Sequence, residues 1–209
     1  MRRLAFALFA AALVSLTAAD AMASALDLGV DRPTRRRWVR SRSESSTGLK
    51  DLTIIRAHVG LSAPIGNFGD RYSSGVGFGG SIGYGVSDNA VISGSISHHH
   101  FDHDVFSNFD VGITPVTVNA DFALPTGGRA VPWVGLGAGV YHVAESVDLG
   151  PTTVTTSENN FGVNMGIGFG APISPRTLFG AGMKLHYVAG DQLIDTPFFT
   201  FQMGFGFIL

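Results

Sequence analysis

The chain has 209 residues, a formal net charge of −2 and no cysteine. The lack of cysteine argues against a disulfide scaffold, a thiolate metal site or a cysteine nucleophile. Only 14% of the residues are charged, whereas typical globular proteins have about 25%. Because 45% of the residues are hydrophobic and 11% are aromatic, the low charge does not indicate a disordered chain.

The first 23 residues have the pattern of a secretory signal peptide. Met1–Arg3 is a basic start, and Leu4–Ala19 is an apolar stretch rich in alanine and leucine. Small residues at Ala21 and Ala23, or at Ala23 and Ala25, suit a cleavage site. The alternative, an uncleaved anchor helix, requires a longer apolar core. We therefore predict a cleaved signal peptide over residues 1–23 and export of the remainder.

Residues 24–50 form a basic segment without hydrophobic periodicity. We predict a flexible periplasmic linker, with docking to anionic lipid, a polyanion or an acidic partner as the alternative. The segment is too short and unpatterned for a nucleic-acid module, so no nucleic-acid partner is expected. From residue 51 onward, five basic residues face twelve acidic ones, a net charge of −7. The basic residues of the linker are Arg32, Arg35, Arg36, Arg37, Arg40, Arg42 and Lys50.

Eight segments after residue 50 alternate large apolar residues with small or polar ones. This period of two indicates β-strands with two unlike faces. In the last segment, FFTFQMGFGFIL, the apolar positions are odd-numbered from Phe199 to Leu209, and Gly204 and Gly206 lie between them. The other seven are TIIRAHVGLSAPIG, SGVGFGGSIGYGVS, AVISGSISHHH, ITPVTVNADFAL, VPWVGLGAGVYH, NFGVNMGIGFGAP and TLFGAGMKLHYV.

The number of strands and the lengths of their connections predict a membrane-spanning barrel. Eight strands of about ten residues suit a tilted transmembrane barrel. A soluble barrel of lipocalin type would need polar outward faces. We predict an all-β fold, an eight-stranded antiparallel up-and-down transmembrane β-barrel over residues 51–209, with its short turns on the periplasmic side. Short connections are expected at 87–89, 125–130 and 171–176, and long acidic loops at 64–74, 101–110, 145–159 and 189–197.

Polar residues on the small-residue face are expected to fill the lumen. An eight-stranded barrel has an interior just wide enough for side chains, and a buried charge needs a partner. Asp121 is therefore predicted to pair with Arg56 or Lys184, and a gated ion path is the alternative. With a single carboxylate and no Ser–His–Asp arrangement, no catalytic residue and no cofactor are predicted. The predicted lumen set is Arg56, His58, Asn119, Asp121, Asn164, Lys184 and His186.

The segment HHHFDHD at residues 98–104 contains good donors for zinc, nickel or copper. Alternation along a strand sends His98 and His100 to one side and His99 to the other. One strand cannot gather all three, so we predict an interfacial belt of polar and aromatic side chains, with metal binding as the alternative.

The region from about residue 51 to the end resembles the small outer-membrane β-barrels of Gram-negative bacteria, of the OmpA/OmpX type. The similarity rests on GLSAPIGNFGDRYSSGVGFGGSIGYGVSDNAVISGSIS, on VPWVGLGAGVYH and on the aromatic final strand. It implies an outer-membrane location and a C-terminal signal for the barrel-assembly machinery. The chain departs from the family in ending on leucine, where phenylalanine is common. The residues that match the signal are Phe199, Phe201, Phe205, Phe207 and Leu209.

The predicted function is a structural or surface-interaction role in the outer membrane, as a monomer with a closed lumen. The expected partners are outer-membrane lipid and, through the acidic loops, an extracellular cation or protein. The alternative is a narrow channel for ions or small solutes. A lipid-modifying enzyme on the same scaffold is a third possibility, since one fold hosts many functions, but the sequence offers no catalytic cluster for it.

Overall fold

The computed structural model describes residues 48–104, 108–124, 126, 128–189 and 196–209. The predicted signal peptide and the linker up to residue 47 lie outside the described residues. The elements are β1 Thr53–Pro64, α1 Gly66–Gly69, β2 Gly75–Ser87, β3 Ala90–Asp102, β4 Phe109–Ala123, β5 Val131–Asp148, β6 Thr153–Ser174, β7 Thr177–Ala189 and β8 Phe198–Ile208.

The strands form a closed barrel in which each strand pairs with its sequence neighbours. All neighbouring pairs are antiparallel, and β1 closes the ring on β8, from Ile54 opposite Ile208 to Pro64 opposite Phe198. Closure leaves no free sheet edge along the paired length of the wall, as a membrane-spanning sheet requires. The predicted eight-stranded up-and-down barrel is confirmed. No helix within the described residues is long and apolar enough to cross a membrane.

The outer surface of the barrel is apolar. Val59 is 57% exposed, Phe78 59% and Leu136 61%, and each lies in a different strand. A water-soluble monomer rarely exposes an apolar patch larger than a few hundred Å², so a surface of this kind suits lipid. Other exposed apolar side chains on it include Ile55, Leu61, Val76, Ile82, Ile92, Ile96, Val116, Val118, Val140, Phe161, Val163, Met165, Ile167, Met203, Phe205 and Phe207.

The inner surface alternates glycine with larger side chains. A Cβ atom on Gly168 or on Gly182 would lie 2.7 Å from the indole ring of Trp133. Residues without a side chain are therefore required where Trp133 packs over the neighbouring strands β6 and β7. Glycines of this kind weaken a strand, but they let a narrow lumen hold a few large groups.

The two ends of the barrel differ. The turn end carries the connections 88–89, 124–130 and 175–176, and both the first described residues and the C-terminus lie there. The N–H of Leu49 donates to the carbonyl of Asp88 at 3.0 Å, so the last residues before β1 pair with the β2–β3 turn. The loop end carries the other four connections, including α1.

The prediction of a long loop at 145–159 is wrong. β5 runs to Asp148 and β6 begins at Thr153, which leaves a four-residue turn. Gly150 takes a positive φ of 89° in this turn, and the N–H of Leu149 donates to Thr152 at 2.9 Å. The segment VTTSE lacks apolar alternation because it projects beyond the belt, yet its threonines favour strand structure. Strand lengths accordingly range from 11 to 22 residues rather than about ten.

Two smaller features of the loop end also differ from expectation. β3 extends to Asp102, so His98, His99 and His100 of the HHHFDHD segment lie within a strand, whereas His103 lies beyond it. The β1–β2 connection contains the short helix α1, for which the sequence has no hydrophobic periodicity. Its Phe68 is buried and packs against Phe101, so tertiary packing stabilises this turn of helix. The predicted loop at 189–197 lies mostly outside the described residues.

Candidate functional site in the barrel lumen

The structure places all seven predicted lumen residues on the inward face. Arg56 and His58 come from β1, whereas the others come from strands across the ring. The most buried are Asn119 at 3% exposure and His186 at 5%. The remaining members, Asp121, Asn164 and Lys184, lie in β4, β6 and β7, so the set surrounds the barrel axis.

Arg56 and Asp121 form an ion pair across the lumen. Nη1 of Arg56 donates to Oδ2 of Asp121 at 2.7 Å, with side-chain exposures of 35% and 11%. Of the two cations that the sequence offered to Asp121, the structure selects Arg56. Lys184 makes no ion pair within 4.0 Å among the described residues.

A layer of aromatic rings crosses the lumen on the loop side of this ion pair. The ring of His186 stacks on Phe198, with centroids 4.5 Å apart and planes 2° apart. Its Nδ1 is 3.0 Å from the hydroxyl of Tyr141, and its Nε2 is 3.3 Å from the hydroxyl of Thr200. His99 lies against the same rings, 5.6 Å from His186. We call His99, Tyr141, His186 and Phe198 the histidine layer.

His99 is the main lumen residue that the sequence prediction missed. Alternation had already placed it opposite His98 and His100, and the apolar Ile92 and Ile96 mark the even-numbered positions of β3 as outward. Its inward orientation could therefore have been read from the sequence. Other inward residues absent from the predicted set are Ser62, Ser93, Ser95, Ser97, Thr117, Trp133, Tyr141, Thr200 and Gln202.

The hydroxyls around His99 do not form a catalytic triad. Ser62 is 2.8 Å from Nδ1 of His99, and Ser97 is 2.9 Å from Nε2. A nucleophilic serine works with a histidine that a third group, usually a carboxylate, orients, but here both ring nitrogens meet hydroxyls. Ser62 is 0% exposed and His99 is 3% exposed, so no substrate can reach the pair.

A neutral hydrogen-bond network fills the middle of the lumen. The amide of Asn119 donates to Ser95 at 2.9 Å and to Thr117 at 3.1 Å. Ser95 and Thr117 are themselves 2.8 Å apart. No buried side-chain nitrogen or oxygen among the described residues lacks a partner. A polar cavity of about 60 Å³ remains beside this network, room for a few water molecules at most.

An apolar cluster closes the loop end of the lumen. Phe68 of α1 packs edge-on against Phe101 at 5.2 Å, and Phe101 packs against Phe198 at 5.5 Å. We call the set the plug cluster; its members are Phe68, Phe101, Val111, Ile113, Tyr141, Val143, Val188 and Phe198.

The side chains of the HHHFDHD segment separate as the alternation predicted. Nδ1 of His98 is 2.9 Å from the hydroxyl of Thr114, and His100 lies 3.2 Å from Asp102 in an exposed ion pair. His99 points into the lumen instead. The described residues contain no group of three or more His, Cys, Asp or Glu side chains that could hold a metal ion.

The residues of the predicted assembly signal lie on the outward face of β8. Phe205 is 49% exposed, Phe207 51% and Leu209 75%. Phe199 and Phe201 are partly buried on the same face. The strand therefore presents to the surroundings the aromatic pattern on which the signal was predicted.

Comparison with known proteins supports the fold and goes no further. No family profile matches the chain, and no curated protein matches it. Among solved structures it is similar to Neisserial surface protein A, with 14% identity, a TM-score of 0.59 and coverage of 74% of this chain and 96% of that one. It is also similar to the outer membrane protein OprG from Pseudomonas aeruginosa, with 17% identity, a TM-score of 0.55 and coverage of 78% and 98%.

A third similar structure is Ail, the attachment invasion locus protein of Yersinia pestis, with 17% identity, a TM-score of 0.52 and coverage of 77% and 99%. At these identities the likeness concerns the fold, which fits the closed ring and the apolar belt. The chain thus has the eight-stranded barrel fold of the OmpA/OmpX type found in outer-membrane proteins.

Proposed function

We propose that this protein is a closed outer-membrane barrel whose role is structural or in surface interaction. The observation that carries the proposal is the filled lumen, in which the plug cluster and the histidine layer adjoin and share Tyr141 and Phe198. A barrel of eight strands is normally filled by side chains. With no open path, the useful surfaces of such a protein are its ends and its lipid-facing wall.

The orientation follows from the predicted export of the chain. A signal peptide at residues 1–23 would deliver it to the periplasm, where the barrel-assembly machinery would read the aromatic pattern from Phe199 to Leu209. The turn end would then face the periplasm, with the basic linker at residues 24–50, and the loop end would face outside.

The partner proposed for the loop end is a cation or a basic protein surface. Ail has been solved in complex with the heparin analogue sucrose octasulfate, a polyanion. The described loop-end residues of this chain carry net negative charge, the same sign as that ligand, because seven carboxylates outnumber the single Arg71. Like charges repel at close range, so polyanion binding is disfavoured here. The carboxylates are those of Asp70, Asp102, Asp104, Asp110, Glu145, Asp148 and Glu158.

The orientation can be tested with epitope tags on intact cells. A tag inserted at Gly150, in the exposed turn between β5 and β6, should be stained by antibody without permeabilisation. A matched tag between Asp88 and Asn89, at the turn end, should be stained only after permeabilisation. The reverse pattern would contradict the orientation, and staining of neither tag in isolated outer membranes would contradict the location.

The partner can be tested by binding to the refolded protein in lipid nanodiscs. A cationic peptide such as oligolysine should bind at low salt, and sucrose octasulfate should not. Replacing Asp102, Asp104 and Glu145 by their amides should weaken oligolysine binding about tenfold, since each charge pair contributes a fraction of a kcal/mol to 1 kcal/mol. Binding of sucrose octasulfate instead would contradict the charge argument.

A narrow channel is the second candidate, and the polar cavity beside Asn119 is the observation that favours it. That cavity is lined in part by Arg56, Asp121 and Lys184, which are groups able to conduct or select ions. Conduction would require the plug cluster to open as well as the ion pair. We propose no enzymatic role, because the Ser62–His99 pair is sealed.

A further inference from the structure

The turn-end half of the lumen contains a second cavity, which plays no part in the function proposed above. It has a volume of about 320 Å³ and opens at the turn end. Small-molecule sites typically range from about 300 to 1,000 Å³, so this cavity lies at the small end of that range. Leu49, Asp88 and Asn89 line its mouth.

The walls of the cavity are apolar. Ile54, Val91 and Leu178 line it, together with the indole of Trp133. A glycine wall, formed by Gly180 in β7 and Gly206 in β8, completes the lining, and an added Cβ there would make ordinary contacts without a clash. A Cβ on Gly180 would come no closer than 3.5 Å to its nearest neighbour, and one on Gly206 no closer than 3.4 Å. This space differs from the region around Gly168 and Gly182, which the Trp133 ring fills.

The inner end of the cavity offers hydrogen-bond donors. Arg56, His58 and Asp121 line it there, and the side chain of Arg56 is 35% exposed. Nη1 of Arg56 is bound to Asp121, but a guanidinium has five N–H donors in all, so several remain for another acceptor.

We propose that this turn-end cavity binds a small amphiphile with an apolar body and a single acidic head, such as a medium-chain carboxylate. The carboxylate accepts hydrogen bonds from the free donors of Arg56. The apolar body lies between Trp133, Leu178 and the glycine wall. Asp88 at the mouth disfavours ligands with several negative charges. The cavity ends inside the barrel at Arg56, so the proposed function is binding of the amphiphile and not its passage through the lumen.

Trp133 provides a direct readout of binding. The chain has two tryptophans, Trp38 and Trp133, so Trp38→Phe leaves one reporter inside the barrel. In nanodiscs of this variant, 8-bromooctanoate should quench the Trp133 emission in a saturable manner, because bromine quenches on contact. The alcohol 8-bromooctanol, with the same body and no charge, should bind about tenfold more weakly.

Matched glycine variants separate the cavity from the bilayer. Gly180→Leu adds a side chain that fills the cavity and should abolish the saturable quenching. Gly94→Leu is the control, since Gly94 lies on the outward face with no atom within 4 Å of its added Cβ, and quenching should persist. If Gly180→Leu does not fold, Gly180→Ala combined with Gly206→Ala should still weaken binding severalfold.

The proposal has two outcomes that overturn it. Equal quenching in Gly180→Leu and Gly94→Leu would show that the probe acts from the lipid. Equal affinity for the acid and the alcohol would remove the role assigned to Arg56. Neither result would affect the closed-barrel function, which does not depend on this cavity.

Discussion

At the scale of single residues, the Arg56–Asp121 ion pair is the strongest constraint on the lumen. Both groups lie on the inward face, and each of them has the other as its ion-pair partner. A buried charge that loses its partner keeps its desolvation cost. The pair therefore fixes the distance between β1 and β4 across the barrel.

Asp121→Asn should lower the free energy of unfolding by about 1–3 kcal/mol, because the charge of Arg56 then has no carboxylate. Arg56→Gln combined with Asp121→Asn should recover part of this loss. The measurement is urea unfolding of the refolded protein in lipid vesicles. Asp102→Asn is the control, since its ion pair with His100 is exposed and should contribute about 0–1 kcal/mol. Equal losses for Asp121→Asn and Asp102→Asn would contradict the account.

Tyr72, in the β1–β2 connection outside the membrane wall, should make the loop end sensitive to alkali. Burial, with the nearby charge of Glu145 as the next cause, raises the pKa of Tyr72 to about 12. The unfolded pKa is about 10, so the stabilising contribution of the neutral phenol is present below pH 10. It is lost as the pH rises through 12.

The ionisation of Tyr72 can be followed by the ultraviolet absorbance of the tyrosinate anion as the pH is raised above the normal phenol pKa of about 10. The intact protein should show an ionisation step near pH 12 that is larger, by one tyrosine, than the step of Tyr72→Phe. A hydrogen bond of 3.4 Å joins Tyr72 to Glu145, so Glu145→Gln should move the step toward lower pH. No change in Glu145→Gln would contradict the assignment.

At the scale of the strand, alternation decides which side chains meet lipid. The sequence predicted this well for β8, where the odd-numbered residues are outward, because a period of two leaves little choice of face. It failed for β5 and β6 beyond residue 145, where both faces meet water and the apolar pattern disappears. The eight strands were thus predictable, whereas the length of the projecting hairpin was not.

Matched arginine substitutions test where the membrane wall ends. Met203 lies in the middle of β8 and is 58% exposed. Met203→Arg should lower the free energy of unfolding in vesicles by about 2–4 kcal/mol. Val154→Arg should have little effect, although Val154 is also apolar and 49% exposed, because it lies on the projecting hairpin. Similar losses at both positions would place the hairpin in lipid and contradict the description.

At the scale of the whole molecule, the sequence was most informative about the barrel wall and less informative about the lumen. The seven predicted lumen residues face inward because the apolar residues that alternate with them along each strand face outward. This alternation could not reveal which cation pairs with Asp121, since Arg56 and Lys184 both face inward. The choice depends on the stagger of the strands, which sets the height of each residue along the barrel axis. The plug cluster was also not predicted, because Phe68 reaches it from a connection without periodicity.

The central claim is that the lumen is closed. The measurement that tests it most directly is single-channel conductance of the refolded chain, residues 24–209, in planar lipid bilayers after β-structure has been verified. We expect no steps above the bilayer baseline, because the plug cluster and the histidine layer block the axis. Reproducible small channels whose conductance changes in Arg56→Gln or Lys184→Gln would contradict the closed barrel and make permeation the function.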